Sequence, residues 1–149
     1  MRTVFLVLAL FALAGCAGSQ PYSKRDLSQV HQAYGEIVPI YLSFKQAYMS
    51  NDTPGVLRAF HREQQACRLV DVVDKRDTID PNVQLFQASA ALDNLCNDIE
   101  GIYVVWAKKH RYPYDKGIQP AFVEDAFKDG DLNVKKLPKY LKHPSDLLA

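Results

Sequence analysis

Residues 23–49 read SKRDLSQVHQAYGEIVPIYLSFKQAYM. Apolar and aromatic side chains recur at Leu27, Val30, Tyr34, Ile37, Tyr41, Phe44 and Tyr48, three or four apart. That is the spacing of one helix face, not the alternation of a strand. Ser23 stands before the run with Asp26 three residues on, so the hydroxyl and the carboxylate can each accept a hydrogen bond from the other's backbone N–H. Pro39 falls inside the run and removes one backbone hydrogen bond, which predicts a kink there. Asn51-Asp52 closes the segment.

The same grammar repeats downstream. Thr53-Pro54 offers an N-cap followed by a proline at the first helical position. Its apolar line is Val56, Leu57, Phe60, Cys67, Val70 and Val73. Asp80-Pro81 opens a third segment, with Leu85, Phe86, Ser89, Leu92, Cys96, Ile99, Ile102, Tyr103 and Trp106 on one stripe. Short connections make neighbouring helices antiparallel. Beyond Trp106 the pattern weakens. A short helix is expected from Pro120 to Lys128, with Phe122, Val123 and Phe127 inward and Gly130 as its stop. Pro138 and Pro144 break the tail into single turns. The expected fold is all-α: an up-down bundle of three long helices with a shorter, irregular fourth element, occupying residues 23–149.

Ahead of this domain, Met1-Arg2-Thr3 is followed by the apolar run Val4–Ala14 and then Gly15-Cys16. One positive charge, a short apolar stretch and small residues at its end make a secretory signal. Eleven helical residues span roughly 16 Å, about half a bilayer core, which is too short to cross it. Leu13-Ala14-Gly15-Cys16 resembles the bacterial lipobox. The resemblance implies that residues 1–15 are a cleaved signal peptide and that Cys16 carries lipid on its thiol and its new amino group. Several acyl chains make a stable anchor where one does not. Ala17, in place of an aspartate, favours the outer membrane. Residues 16–22 form the lipidated cysteine and a tether of seven residues, roughly 25 Å when extended, so the domain stays close to the membrane.

With Cys16 lipidated, Cys67 and Cys96 remain in an oxidising compartment. About the turn near Asp80 they sit 13 residues before and 16 after, a mismatch of roughly 4–5 Å along antiparallel helices. A disulfide across that seam is expected to contribute about 3.5 kcal/mol by constraining the unfolded chain. The alternative is two buried thiols.

Charge and chemistry exclude more than they assign. The chain carries 18 Lys and Arg against 17 Asp and Glu, and loss of Arg2 with the signal makes the mature chain neutral. Neutrality offers no bulk attraction to nucleic acid. His31, His61, His110 and His143 show no ligand spacing, so no metal and no cofactor is expected. Asp71, Asp74 and Asp77 share a helical face but alternate with Arg68, Lys75 and Arg76, which reads as a salt-bridged surface. Two features suit a partner protein. Tyr34, Tyr41 and Tyr48 repeat every seven residues. The loop Lys108–Asp115 sets Arg111, Tyr112 and Tyr114 around Pro113, and tyrosine and arginine dominate interface hot spots. Either set serves equally to pack or cap the bundle.

Lipobox, size, helicity and the cysteine pair together look like the pilotins, small helical lipoproteins that help secretins reach the outer membrane. The similarity implies a non-catalytic protein-binding or assembly role on the periplasmic side of the outer membrane, with an envelope protein as partner. An immunity or inhibitor protein acting on a toxin or hydrolase is the second reading, and a cell-wall hydrolase the third. Glu124-Asp125 and Asp131 are only a faint version of an inhibitor's acidic loop. If the anchor reading is right, Cys16→Ala releases the protein from the membrane fraction or leaves its precursor uncleaved; unchanged processing and membrane sedimentation would overturn it.

Overall fold

The computed structural model describes residues 23–70 and 83–141, which hold four helices. They are α1 (Lys24–Met49), α2 (Thr53–Ala66), α3 (Val83–His110) and α4 (Val123–Tyr140). α1 begins at the expected capping box, with the Ser23 N–H donating to the Asp26 carboxylate at 2.7 Å and the Asp26 N–H donating back to the Ser23 hydroxyl. It runs on past Pro39. The carbonyl deprived of its partner there is that of Gly35, and both residues are exposed, so the lost bond lies on the solvent side of the helix. At the far end Asn51 takes a left-handed conformation, φ 56°, and the Asp52 N–H reaches back to the Ala47 carbonyl at 2.8 Å. This is a Schellman-type stop with asparagine in the usual glycine position. Asp52, one residue earlier than the expected Thr53, caps α2 by accepting the Gly55 N–H at 3.1 Å.

Three sets of contacts fix the directions. Phe60 stacks on Tyr103 while Cys67 is bonded to Cys96, so α2 and α3 run antiparallel. Tyr41 meets Asp131 while Tyr48 meets Phe127, so α1 and α4 run antiparallel. The backbone N–H of Ala121, just before α4, donates to the carbonyl of Gly101 on α3. The result is up-down-up-down. Ile37, Ile40 and Phe44, Val56 and Ala59, Leu92, Leu95, Ile99 and Ile102, and Phe127 and Leu137 fill one continuous core from all four helices. The expected disulfide is present, with Cα atoms 6.1 Å apart and a sequence separation of 29.

The fourth element departs from the sequence reading. α4 is one helix of 18 residues that continues through Gly130 and ends only after Pro138. Gly130 is no stop: no glycine among the described residues has a positive φ. It is instead a place where another helix comes too close for a side chain. A Cβ there would lie 2.5 Å from the Tyr41 ring. Pro138 forgoes the bond to the Val134 carbonyl one turn back, and the helix ends two residues after it. Phe122 also points outward, 85% exposed, where an inward position was expected. The backbone of residues 119–121 presses against Gly101, so helix geometry begins only at Val123 and leaves Phe122 at the N-cap. Phe86 likewise stands half-exposed rather than on the core stripe of α3. The expected turns at Asp80-Pro81 and Pro144 lie outside the described residues, as do Val73, Asp71, Asp74, Asp77 and His143.

Two glycine substitutions separate close packing from helix propensity. Gly35 is exposed and a Cβ there meets nothing within 4 Å, so Gly35→Ala should stabilise by up to about 1 kcal/mol. Gly130→Ala should lose roughly 1–3 kcal/mol despite the same propensity gain, because Tyr41 must move. Thermal or denaturant unfolding of both variants checks the opposite signs.

Candidate functional site

Three places on the bundle combine accessible surface with chemistry: the loop after α3, a groove between α1 and α4, and a polar cleft beside the disulfide.

The loop is held from below by an aromatic column. Phe60 lies flat on Tyr103 with centroids 3.6 Å apart, Tyr103 stacks against Trp106 at 5.8 Å, and Trp106 stacks against both His110 and Tyr112. The Tyr103 hydroxyl donates to the Pro113 carbonyl at 3.1 Å. Of the sequence candidates, Tyr112 is half-buried at the top of this column and Tyr114 is half-buried under the Lys108 ammonium, 5.5 Å from its ring centre. Arg111 is exposed, and its backbone does the structural work. It sits at φ 62° while the Tyr112 N–H bonds to the Ala107 carbonyl at 2.9 Å, a second Schellman-type stop. Arginine in that conformation carries about 1–2 kcal/mol of strain. The tyrosine line divides in the same way: Tyr41 is buried, while Tyr34 and Tyr48 are half-buried against the core.

The groove lies between the C-terminal half of α1 and the N-terminal half of α4. It encloses about 560 Å³ and is lined by Met49, Val123, Phe127 and Leu132, with Lys45, Lys128 and Lys135 among the rim residues. Met49 is 61% exposed and Leu132 43%, and Phe122 adjoins them in sequence through Val123. Hydrogen bonds and an ion pair tie the two helices together beside the groove. The Tyr41 hydroxyl reaches the Phe127 carbonyl at 2.8 Å and the Asp131 carboxylate at 3.1 Å, and the Lys45 ammonium meets the other Asp131 oxygen at 2.6 Å. These bonds hold the Asp131 carboxyl below its usual range, the Lys45 hydrogen bond being the largest cause. Burial, and then the Asp131 charge, raise the Tyr41 phenol well above its ordinary value.

The cleft contains a residue that sequence reading passed over. Glu63 is fully buried, and neither carboxyl oxygen has a hydrogen-bond partner. Burial pushes its pKa up to about 8, with the nearby Glu100 charge adding to the effect. Its oxygen and the sulfurs of Cys67 and Cys96 all lie within 4.8 Å of one another. Among the described residues this is the only trio of His, Cys, Asp or Glu donors close enough to hold an ion, but the bridge already occupies both sulfurs. A signal did exist. Val56, Ala59, Glu63, Ala66 and Val70 keep helical spacing and are all buried, so Glu63 stands in the middle of the true inward stripe of α2. A second carboxyl, Asp98 on α3, is raised to about 7 by burial and by Asp129.

The pH consequence has a definite sign. A carboxyl whose folded pKa lies above its unfolded one stabilises the fold below the unfolded value, and that stability is lost as pH rises through the folded value. The bundle should therefore lose stability between about pH 5 and about pH 9. Glu63→Gln should leave only the shallower share due to Asp98, read as melting temperature against pH. An unchanged slope in the variant would show that Glu63 ionises as an ordinary carboxylate.

No protein family matches this chain, and comparison with curated proteins and with solved structures finds no match; the three sites stand on their own chemistry.

Proposed function

We propose that this chain is a lipid-anchored protein of the bacterial envelope that holds a partner protein rather than catalysing a reaction, an accessory role of the kind pilotins fill. The observation that carries this is the apolar groove between α1 and α4 with the exposed Phe122 beside it. A phenylalanine 85% exposed, one residue before the groove-lining Val123, and an exposed methionine and leucine in the groove itself supply the apolar surface a partner needs. With Lys45 paired to Asp131, Lys128 and Lys135 still outnumber Glu124, which favours a short amphipathic segment with an apolar face and acidic flanks.

The remaining support is consistent with that reading. The Cys67–Cys96 bridge suits an oxidising compartment. Among the described residues no helix is long and apolar enough to cross a membrane, so attachment would rest on the lipid at Cys16. α1 begins at one end of the bundle and the groove lies towards the other, which turns the groove away from an anchored N-terminus. In this reading Tyr112 and Tyr114 hold the loop that presents Phe122, and Arg111 reaches the partner from the loop's near end. An immunity or inhibitor protein would use the same surface against a different partner.

Photo-crosslinking residues placed at Phe122 and Met49 in intact cells should give a discrete protein adduct, and one placed at Leu42 should not. Leu42 is an exposed residue of α1 outside the groove. The identity of the adduct separates an envelope assembly component from a toxin or hydrolase. Adducts of equal strength from Leu42, or none from the groove, remove the basis for this function.

A further inference from the structure

A buried carboxyl with no hydrogen-bond partner costs about 1–3 kcal/mol, so Glu63 calls for an explanation that packing does not supply. Its surroundings suggest one. Cys96 is 5% exposed, whereas Cys67, at the C-terminal end of α2, is half-buried and faces a cleft of about 370 Å³. The cleft walls are Gln64 and Arg68 on the α2 side and Asp93, Asn97 and Glu100 on α3. Both cysteines line the cleft, Cys67 being the less buried, and Glu63 lies within 4.8 Å of both sulfurs.

We propose that the Cys67–Cys96 bridge is an exchangeable disulfide and that Glu63 is the proton relay for its opening by a small thiol in this cleft. The entering thiolate attacks the Cys67 sulfur, forming a mixed disulfide and breaking the Cys67–Cys96 bond. The electron pair of that bond goes to the Cys96 sulfur. A thiolate in so buried a place is disfavoured, so the sulfur takes the proton of Glu63 and leaves as a thiol. Glu63 is left as a carboxylate. A second thiolate then attacks the entering sulfur of the mixed disulfide and releases Cys67 as a thiolate, which takes a proton from water. Two thiols have become one disulfide, and the protein bridge has become two thiols. In the reverse direction the Glu63 carboxylate draws the proton from Cys96 and restores the nucleophile that closes the bridge.

Burial and the Glu100 charge hold Glu63 protonated at neutral pH, which suits it to give a proton. The charged groups facing the cleft besides Glu63 are Arg68, Asp93 and Glu100. This inference is independent of the groove and of the anchor.

The test uses the oxidised full-length protein in detergent, with cysteamine and 3-mercaptopropionate as probes and alkylation followed by mass measurement as readout. Rates are divided by the thiolate fraction of each probe. The wild type should open in proportion to thiol concentration with either probe, with a rate constant that falls as pH rises through the Glu63 ionisation. Glu63→Gln should react about 100-fold slower at neutral pH and lose that pH dependence, the usual range for one proton-transfer group. Equal rates and profiles in the two proteins overturn the proposal. If the variant does not fold, the wild type decides alone. A flat pH profile, or opening that accelerates with low urea as global unfolding does, refutes the relay. A falling profile insensitive to low urea supports it.

Discussion

Tyr41 packed against Gly130 joins the first helix to the last. The phenol ring occupies the volume a side chain on α4 would need, and its hydroxyl is tied to the Phe127 carbonyl and the Asp131 carboxylate. Burying a tyrosine this deeply is tolerable only because the hydroxyl is satisfied. Asp131 in turn draws in Lys45, so one ring sets the distance, the rotation and the charge pairing between the first and last helices. The groove follows from it. α1 and α4 are tied together at Tyr41 and again where Tyr48 packs on Phe127, and the groove they flank leaves Met49 and Leu132 exposed.

The seam between α2 and α3 is built on the opposite principle. It is pinned covalently at Cys67–Cys96, and Phe60 and Tyr103 align one turn pair further along. Between these pins lies Glu63, polar and unsatisfied. A short helix held at both ends tolerates such a residue where a freely packed one would rotate it to water. The bridge thus keeps Glu63 buried, and burial keeps it protonated, so the acid depends on the sulfurs it stands beside.

Gly101 governs the third region. Its bare backbone lets residues 119–121 lie directly on α3, and the Ala121 N–H takes the Gly101 carbonyl as partner. The loop therefore folds back along the helix instead of extending into solvent, and the aromatic column under Tyr112 closes over its start. Phe122 emerges where the loop can no longer hug α3 and helix geometry has not yet begun.

Periodicity was sufficient for the helices that carry a long, unambiguous stripe. Leu27 to Tyr48 and Leu85 to Trp106 announce α1 and α3, and Ser23 with Asp26 marks a start that local hydrogen bonds alone determine. The cysteine pairing was legible too, because antiparallel neighbours put Cys67 and Cys96 at nearly one level. Local rules failed where a contact between distant residues overrode them. Gly130 reads as a helix stop until Tyr41 is placed against it, and Phe122 reads as core until Gly101 fixes the loop. Arg111 has a backbone role that spacing could not show, its left-handed φ closing α3 while its side chain stays exposed. Glu63 was passed over because a glutamate among apolar positions does not by itself show that its face is buried. Spacing along one helix determines which residues share a face. Which face is buried, and what it is buried against, depends on the other three helices, and only the tertiary structure decided that.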